Sequence, residues 1–129
     1  MELFKLESFI DKRGSLTALN FHSISFEIKR FYWIILESNE PRGFHAHKKL
    51  NQILFVIKGT TQLKLDDGTS STIFTLCEND AIHIQPGVWR EFISLDSQSI
   101  VGCLASEIFN EDDYIRNYSE FMEWKNEIL

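Results

Sequence analysis

The stretch Arg42-Gly-Phe-His-Ala-His-Lys-Lys-Leu-Asn-Gln52 decides how this chain folds and where its chemistry lies. His45 and His47, two of the chain's four histidines, stand two positions apart in a segment that reads as a β-strand. Because alternate side chains of a strand share a face, both imidazoles project to the same side. Arg42 comes just before them. Two converging imidazoles beside an arginine predict a functional site, since burying so many polar groups without a role is costly.

Short apolar segments separated by turn residues surround this stretch, from Leu16 to about Leu104. With almost no helical periodicity, they predict an all-β sandwich or barrel. The expected strands are 3–9, 15–20, 28–36, 43–48, 51–58, 61–66, 71–76, 80–85, 89–95 and 99–106. From Asn110 onward the spacing instead predicts one short C-terminal helix, with Asn110 as its N-cap. The helical stripe is Tyr114, Ile115, Tyr118, Phe121 and Met122.

The bulk composition narrows the functional class. A chain of 129 residues fits a single domain, residues 1–129. Its net charge of −6 argues against nucleic acid as a partner. Apolar runs too short for a bilayer, and charges within the first 16 residues, predict a cytoplasmic protein with no membrane partner. Cys77 and Cys103 stand apart in apolar surroundings, which predicts buried, reduced thiols.

The histidine pair, Gln52 and Gly59 have the spacing of the first motif of cupins. Pro86-Gly-Val-Trp-Arg90 stands where the second cupin motif supplies its last histidine. A cupin metal site needs about three imidazoles and a carboxylate. Here an amide and an arginine occupy two of those places, and the fixed charge of Arg90 repels a cation. We therefore expect no metal, and a pocket with two titratable imidazoles.

The preceding strand carries a second polar face. Arg30, Tyr32 and Ile34 share one side of it, whereas Phe31 and Trp33 share the other. A phenol beside a guanidinium suits a polar ligand, and the Phe and Trp side chains suit the core.

An ordered set of motifs resembles that of the cupin-type nucleotide-sugar 3,4-ketoisomerases, also called WxcM-like, which act on TDP-4-keto-6-deoxyglucose. The motifs are Asp11-Lys-Arg-Gly-Ser-Leu16, Phe26-Glu-Ile-Lys-Arg30, Arg42-Gly-Phe-His-Ala-His-Lys-Lys49, Leu65-Asp-Asp-Gly68, Pro86-Gly-Val-Trp89, Leu104-Ala-Ser-Glu107 and Asp113-Tyr-Ile-Arg-Asn-Tyr118. The resemblance implies a jelly-roll-like β-barrel without metal or other cofactor, acting as a homodimer on a TDP-linked keto-deoxysugar. It implies that a ketone moves from C4 to C3, giving a product that feeds the synthesis of 3-amino sugars.

The resemblance also implies roles for individual residues. His45 and His47 are the expected acid/base pair, with Tyr32 beside them. An imidazole, with a pKa of about 6.5, suits proton removal at C3 and return at C4 through an enediolate. Arg42, Tyr32 or Arg90 is expected to stabilise the oxyanion. The expected substrate-binding residues are Arg42, Arg90, Arg13, Lys48 and Gln52.

Some alternatives stay open at this point. Many family members have His at position 90, and the combination of Arg13 with Arg90 mixes two patterns. We lean toward the gluco-configured product because residue 90 lies inside the barrel by its motif position. The sequence does not divide the roles of base and acid between His45 and His47. Other functions considered are a non-catalytic sugar-nucleotide-binding cupin, a metal-dependent dioxygenase and a TDP-sugar 3,5-epimerase.

Overall fold

The computed structural model describes residues 2–128, and strands dominate it. The strands are β1 (Glu2–Lys5), β2 (Glu7–Asp11), β3 (Gly14–Ala18), β4 (Arg30–Glu37), β5 (Arg42–His47), β6 (Gln52–Lys58), β7 (Thr61–Asp66), β8 (Ser71–Leu76), β9 (Asp80–Ile84), β10 (Trp89–Ser94), β11 (Gln98–Ala105) and β12 (Tyr114–Ile115). The α-helix α1 (Tyr118–Ile128) follows them. Within the described range, no helix is long and apolar enough to cross a membrane.

Two five-stranded antiparallel sheets face each other. One has the spatial order β1-β9-β6-β11-β4, and the other β12-β5-β10-β7-β8. Apolar side chains from the facing sides of both sheets form the main core, including Leu54, Val56 and Ile82 from the first sheet and Leu63 and Leu65 from the second. The predicted all-β, jelly-roll-like cupin fold with a short C-terminal helix is confirmed. The sheets form a sandwich and do not close into a barrel.

The outer faces of the sheets are covered differently. Outward-facing Ile53 of β6 packs with the segment from Leu19 to Ile28 on the first sheet. On the second sheet, Phe121 of α1 packs against Ala46 and Trp89. Helix α1 therefore supports the histidine strand β5 from the side opposite the main core.

Several boundaries differ from the sequence prediction. The expected strand 3–9 is broken at Leu6, and its second half pairs with β3 as a separate hairpin. The helix begins at Tyr118, because Asn110 caps a 3₁₀ turn over Glu111–Asp113 and the chain then pairs as β12. Pairing with β5 overrides the local helical spacing there. Cys103 is buried as predicted, but Cys77 is exposed, so that half of the thiol prediction was wrong.

The β4 prediction also needs a correction. Tyr32 and Ile34 pack against the main core. Phe31 and Trp33 were expected in the core, yet they lie on the outer face and are 52% and 61% exposed. Strand β4 is the edge of its sheet, and residues 2–128 leave this side of it largely exposed.

Candidate active site

The backbone conformation at the start of β5 sets the direction of the two histidine side chains. Gly43 has φ of +94°, and a Cβ there would lie 2.8 Å from the carbonyl oxygen of Arg90. The register of β10 against β5 shifts at the same point. Only glycine fits this approach without strain. Phe44 also has a positive φ, of 56°. From His45 onward the side chains alternate, so His45 and His47 share a face while Ala46 points into the cluster under α1.

The two imidazoles meet edge to face, with ring centroids 4.9 Å apart. His45 Nδ1 lies 3.0 Å from the carbonyl oxygen of Gly43, which only accepts, so this nitrogen carries the proton. His47 Nδ1 lies 3.1 Å from the carboxylate of Asp113. In each neutral ring, Nε2 then holds a lone pair. The ring of Tyr114 packs against both imidazoles, at 5.0 and 4.4 Å between centroids.

Burial keeps both imidazoles neutral. It lowers the pKa of His45 to about 4, and the nearby Arg90 guanidinium contributes to that shift. Burial also lowers the pKa of His47 to about 2, again helped by Arg90 and by the neighbouring His45. Desolvation disfavours the imidazolium form, and a fixed cation adds to that effect. Both rings are consequently uncharged at neutral pH.

A buried polar chain runs beneath the histidines. Arg90 is only 1% exposed, and its guanidinium donates to Gln52 Oε1 and to the carbonyl oxygen of Val88. Gln52 Nε2 in turn donates to Tyr32 Oη at 2.6 Å. Burial raises the pKa of the Tyr32 phenol, so that it keeps its proton. Gln52 thus links the Arg90 guanidinium to the Tyr32 phenol through hydrogen bonds. It does so at the position where metal-binding cupins have a metal ligand.

None of the ion pairs found among residues 2–128 involves Arg90. Its Nε atom is buried without a hydrogen-bond partner. An uncompensated buried guanidinium is costly unless a negative group approaches it. The same residues contain no group of three or more His, Cys, Asp or Glu side chains placed to hold a metal ion.

A cleft of about 690 Å³ opens above this chain. His45, Tyr32 and Arg42 line it. So do Arg30, which was predicted to share a polar face with Tyr32, and Arg116, which was not predicted as a site residue. Arg30 lies over the Tyr32 ring at 4.8 Å, and its Nε and Nη2 atoms are buried without partners. The cleft therefore combines imidazoles and a phenol with guanidinium groups near its walls.

Arg116 reaches the cleft from the segment that follows the 3₁₀ turn. It lies 4.2 Å over the Tyr114 ring and donates to Glu111 Oε1 at 2.6 Å. The sequence contained a signal for this segment, the Asp113-to-Tyr118 motif. Interpreting it as helix concealed that Asp113, Tyr114 and Arg116 lie beside the histidines.

The structure gathers most of the predicted site residues. Tyr32, Arg42 and His45 line the cleft wall. His47, Gln52 and Arg90 are buried directly beneath it. Two predicted residues do not line the cleft. Arg13 lies in the β2–β3 hairpin, where its guanidinium donates to Asp11 at 2.6 Å, and the side chain of Lys48 is exposed just after β5.

Comparison with known proteins places this geometry in context. Residues 1–126 match the family described as FdtA: WxcM-like, C-terminal. A TDP-4-oxo-6-deoxy-α-D-glucose-3,4-oxoisomerase from Aneurinibacillus thermoaerophilus is 39% identical over 127 residues, which are 95% of this chain and 91% of that protein.

Two crystal structures are also similar. The 3,4-ketoisomerase QdtA from Thermoanaerobacterium thermosaccharolyticum, in complex with TDP, has a TM-score of 0.90 and 34% identity over 99% of this chain and 96% of that one. The WlaRB TDP-quinovose 3,4-ketoisomerase from Campylobacter jejuni has a TM-score of 0.85 and 37% identity over 95% and 96% of the two chains.

Proposed function

Because this chain belongs to the WxcM-like FdtA family, we propose that it is a TDP-sugar 3,4-ketoisomerase that converts TDP-4-keto-6-deoxyglucose to the 3-keto isomer. Similar proteins carry that activity in their names, and one of them was crystallised with TDP. The observation that carries the proposal is the paired imidazoles, one in the cleft wall and one behind it, each with a lone pair on Nε2.

In the proposed reaction, carbon C3 of the sugar loses a proton and carbon C4 gains one. A base removes the proton at C3, which is acidic because the C4 carbonyl is adjacent, and the electron pair forms an enediolate. The C3 hydroxyl then gives up its proton and becomes the carbonyl as a proton is returned to C4, and the former ketone oxygen at C4 takes up a proton and becomes the hydroxyl. We assign the contact with the sugar to His45, whose ring lines the cleft, and the supporting proton exchange to His47, which is fully buried.

The enediolate needs fixed donors, and two groups supply them in this proposal. Tyr32 remains protonated, and Arg90 is a buried cation without an acidic partner among the ion pairs described above. Donors held in place in a water-poor site stabilise a developing oxyanion by about 3 kcal/mol each. No step in this scheme requires a metal ion or a redox cofactor.

The diphosphate of TDP needs cations, and the chain is acidic overall. We propose that Arg30, Arg42 and Arg116 bind it, because all three line the cleft. Guanidinium groups suit phosphate oxygens through paired hydrogen bonds. Arg13 and Lys48 remain sequence-based candidates that lie outside the cleft of a single protomer.

We propose the gluco configuration for the product. Arg90 lies directly beneath the histidine pair, where it can influence the face on which C4 is reprotonated. The WlaRB enzyme is named for quinovose, the gluco-configured 6-deoxy sugar. A 3-ketone of this kind is the substrate type of a pyridoxal-dependent aminotransferase, so the proposed pathway leads to 3-amino deoxysugars.

We also propose a homodimer. Exposed apolar side chains cluster on the hairpin and on the adjoining sheet face, where Ile10, Phe55 and Ile57 line a cavity of about 520 Å³. A two-stranded hairpin alone is marginal in water, and so large an apolar surface needs cover. A second copy of the chain supplies that cover in the proposed assembly.

The direct test is incubation with TDP-4-keto-6-deoxyglucose in deuterium oxide, followed by NMR. We expect loss of the C3 proton and deuterium at C4. A parallel incubation in ordinary water, which leaves a proton at C4, should show the large H4–H5 coupling of the gluco configuration. His45→Ala and His47→Asn should each lower kcat about 100-fold or more. His22→Ala, which changes an exposed histidine in a 3₁₀ turn, is the matched control. TDP binding without isotope exchange would instead favour the non-catalytic binding protein.

A further inference from the structure

Asp113 holds the buried imidazole of His47 from a distant part of the sequence. Its Oδ2 lies 3.1 Å from His47 Nδ1, across 66 positions of sequence, and the carboxylate is only 10% exposed. We propose that Asp113 is a positioning residue that fixes the Nδ1–H tautomer of His47 and shares its charge when Nε2 takes up a proton. This inference rests on the ketoisomerase function proposed above, because that function requires an acid/base role for His47.

The carboxylate is held rigidly, as a positioning group must be. Asp113 Oδ1 accepts from the backbone N–H of Lys49 at 2.7 Å. The backbone of the same residue accepts from Lys48 at 3.0 Å and donates to Asn110 at 3.0 Å. Three bonds besides the one to His47 therefore fix the aspartate, so the imidazole is oriented by the fold. A carboxylate that is preorganised in this way loses little entropy on binding a charged ring.

The tautomer follows from the acceptor. A carboxylate only accepts, so Nδ1 of neutral His47 must carry the proton and Nε2 must be a lone-pair nitrogen. That Nε2 is buried and has no hydrogen-bond partner. Its ring meets the ring of His45 edge to face at 4.9 Å. A buried, unpaired base beside the cleft-lining histidine is in position to exchange a proton with it or with bound sugar.

The surrounding charges explain why a counter-charge is needed. Groups on three strands and on the segment after β12 face His47, and each of them is cationic or becomes so on protonation. They are His45 on β5, Arg90 on β10, Arg30 on β4, and Arg116 after β12. Together with burial they oppose an imidazolium at this position. The carboxylate of Asp113 contacts the ring and offsets that opposition at the moment of proton uptake.

A substitution can separate this role from a structural one. In Asp113→Asn the side-chain carbonyl can still accept from Lys49, so the turn is kept. The amide NH₂ then faces His47 Nδ1, which must give up its proton and shift it to Nε2. Nε2 thereby loses the lone pair that proton exchange needs. Asp112→Asn, which neutralises an exposed carboxylate one residue earlier, is the matched control.

The experiment combines histidine NMR with kinetics on the full-length protein. Nitrogen-15 spectra, assigned with the His47→Asn variant, should show Nδ1–H for His47 in the wild type and Nε2–H in Asp113→Asn. The kcat of Asp113→Asn should fall about 100-fold with KM changed less than about threefold. Asp112→Asn should match the wild type in both measurements, and Asp113→Glu, which restores a carboxylate, should recover part of kcat.

Each outcome of these measurements either supports or contradicts the positioning role of Asp113. An Nε2–H tautomer in the wild type, or an unchanged tautomer with unchanged kcat in Asp113→Asn, overturns the positioning role. If Asp113→Asn unfolds, the wild-type spectrum and the partial activity of Asp113→Glu still decide the question. A wild type that shows the Nδ1–H tautomer but converts no keto sugar would contradict the proposed function. In that case the Asp113→Asn spectrum would still test whether Asp113 determines the tautomer of His47.

Discussion

At the scale of single residues, Arg90 sets the electrostatics of the site. Its guanidinium is buried without an acidic partner in the ion pairs of residues 2–128, and it lowers the pKa of both His45 and His47. Hydrogen bonds to Gln52 and Val88 satisfy part of the group but supply no charge. The site therefore contains neutral bases next to a fixed cation, an arrangement that favours an anionic intermediate over an imidazolium.

Replacing Arg90 by glutamine should move the pH profile of the enzyme. Without the cation the pKa of His45 rises, so the base becomes protonated at a higher pH. We expect the acid limb of kcat/KM, near pH 4 in the wild type, to move upward by about one unit and kcat to fall. Lys58→Gln, which removes an exposed cation at the end of β6, is the control and should leave the limb in place. An unmoved limb in Arg90→Gln would contradict this electrostatic role.

The buried histidines should also make stability depend on pH. An unfolded imidazole takes up a proton near pH 6.5, whereas folded His45 does so only near pH 4. Between those values the unfolded chain binds more protons, so the free energy of unfolding falls as the pH drops from about 6.5 to about 4. His45 contributes a loss on the order of 2 kcal/mol, reduced by its partial exposure. Urea titrations at several pH values measure the slope.

Two variants test the source of that slope. His45→Gln removes one of the two buried titrating groups and should reduce the slope, while His47, whose pKa is lowered to about 2, maintains the remainder. His22→Gln, at an exposed position, should leave it as in the wild type. Equal slopes in all three proteins would show that the loss of stability in acid comes from other groups.

At the scale of elements, strand β5 works because neighbours fix it on three sides. Strand β10 pairs along its first half, β12 pairs at its end, and α1 packs beneath Ala46. The positive φ of Gly43 lets the backbone pass close to Arg90 before the histidines begin. Each of these contacts helps to fix the orientation of the imidazole rings.

Gly43→Ala should disrupt this strand. The new Cβ would lie 2.8 Å from the carbonyl oxygen of Arg90 and 3.0 Å from the Phe92 ring, at a φ that disfavours alanine. We expect a loss of stability of more than about 2 kcal/mol and a marked fall in kcat. Gly14→Ala is the matched control, because Gly14 also has positive φ but no atom within 4 Å of the new Cβ. Equal costs at the two sites would contradict a role for close approach.

Phe121→Ala tests the support from the helix. Phe121 is fully buried against Ala46, Trp89 and Ile115, on the opposite side of β5 from the histidines. We expect a loss of about 3 kcal/mol or more in urea unfolding, because the cavity cannot fully collapse. The exposed Glu123→Ala change on the same helix should cost little. A comparable loss in both variants would contradict a specific role for the packing of Phe121.

At the scale of the whole molecule, the sandwich leaves an apolar surface that one protomer does not cover. Phe31 and Trp33 on β4 and Ile57 on β6 are exposed on the first sheet, and the hairpin adds Ile10 and Leu16. The first sheet therefore has a covered part under residues 19–28 and a bare part beside the hairpin. The proposed homodimer explains why so much aromatic surface lies outside the core.

Sedimentation velocity should show a dimer for the wild type. Ile57→Asp places a charge in the bare part of the first sheet and should shift the population toward monomer. The matched control is Ile73→Asp, at a 62% exposed position on the edge strand β8 of the other sheet, which should remain dimeric. A monomeric wild type, or dissociation by the control alone, would contradict the proposed interface.

The sequence by itself determined the fold class, most strand positions and the core of the site. Alternation along single strands is a local property, so it predicted the shared face of His45 and His47, and ordered motifs identified the family. Gln52 and Arg90 were recognisable because their spacing from the histidines fixes where they lie in a cupin.

Only the tertiary structure decided what surrounds those residues. Asp113 and Arg116 reach the site because β12 pairs with β5, a long-range contact that overrides helical spacing and has no local signature. The exposure of Phe31 and Trp33 depends on which strand lies at a sheet edge, and the position of Arg13 depends on a hairpin that leaves the sandwich. Side-chain periodicity shows that the two faces of a strand differ in polarity. The packing of distant segments decides which face is buried and which charged groups lie next to it.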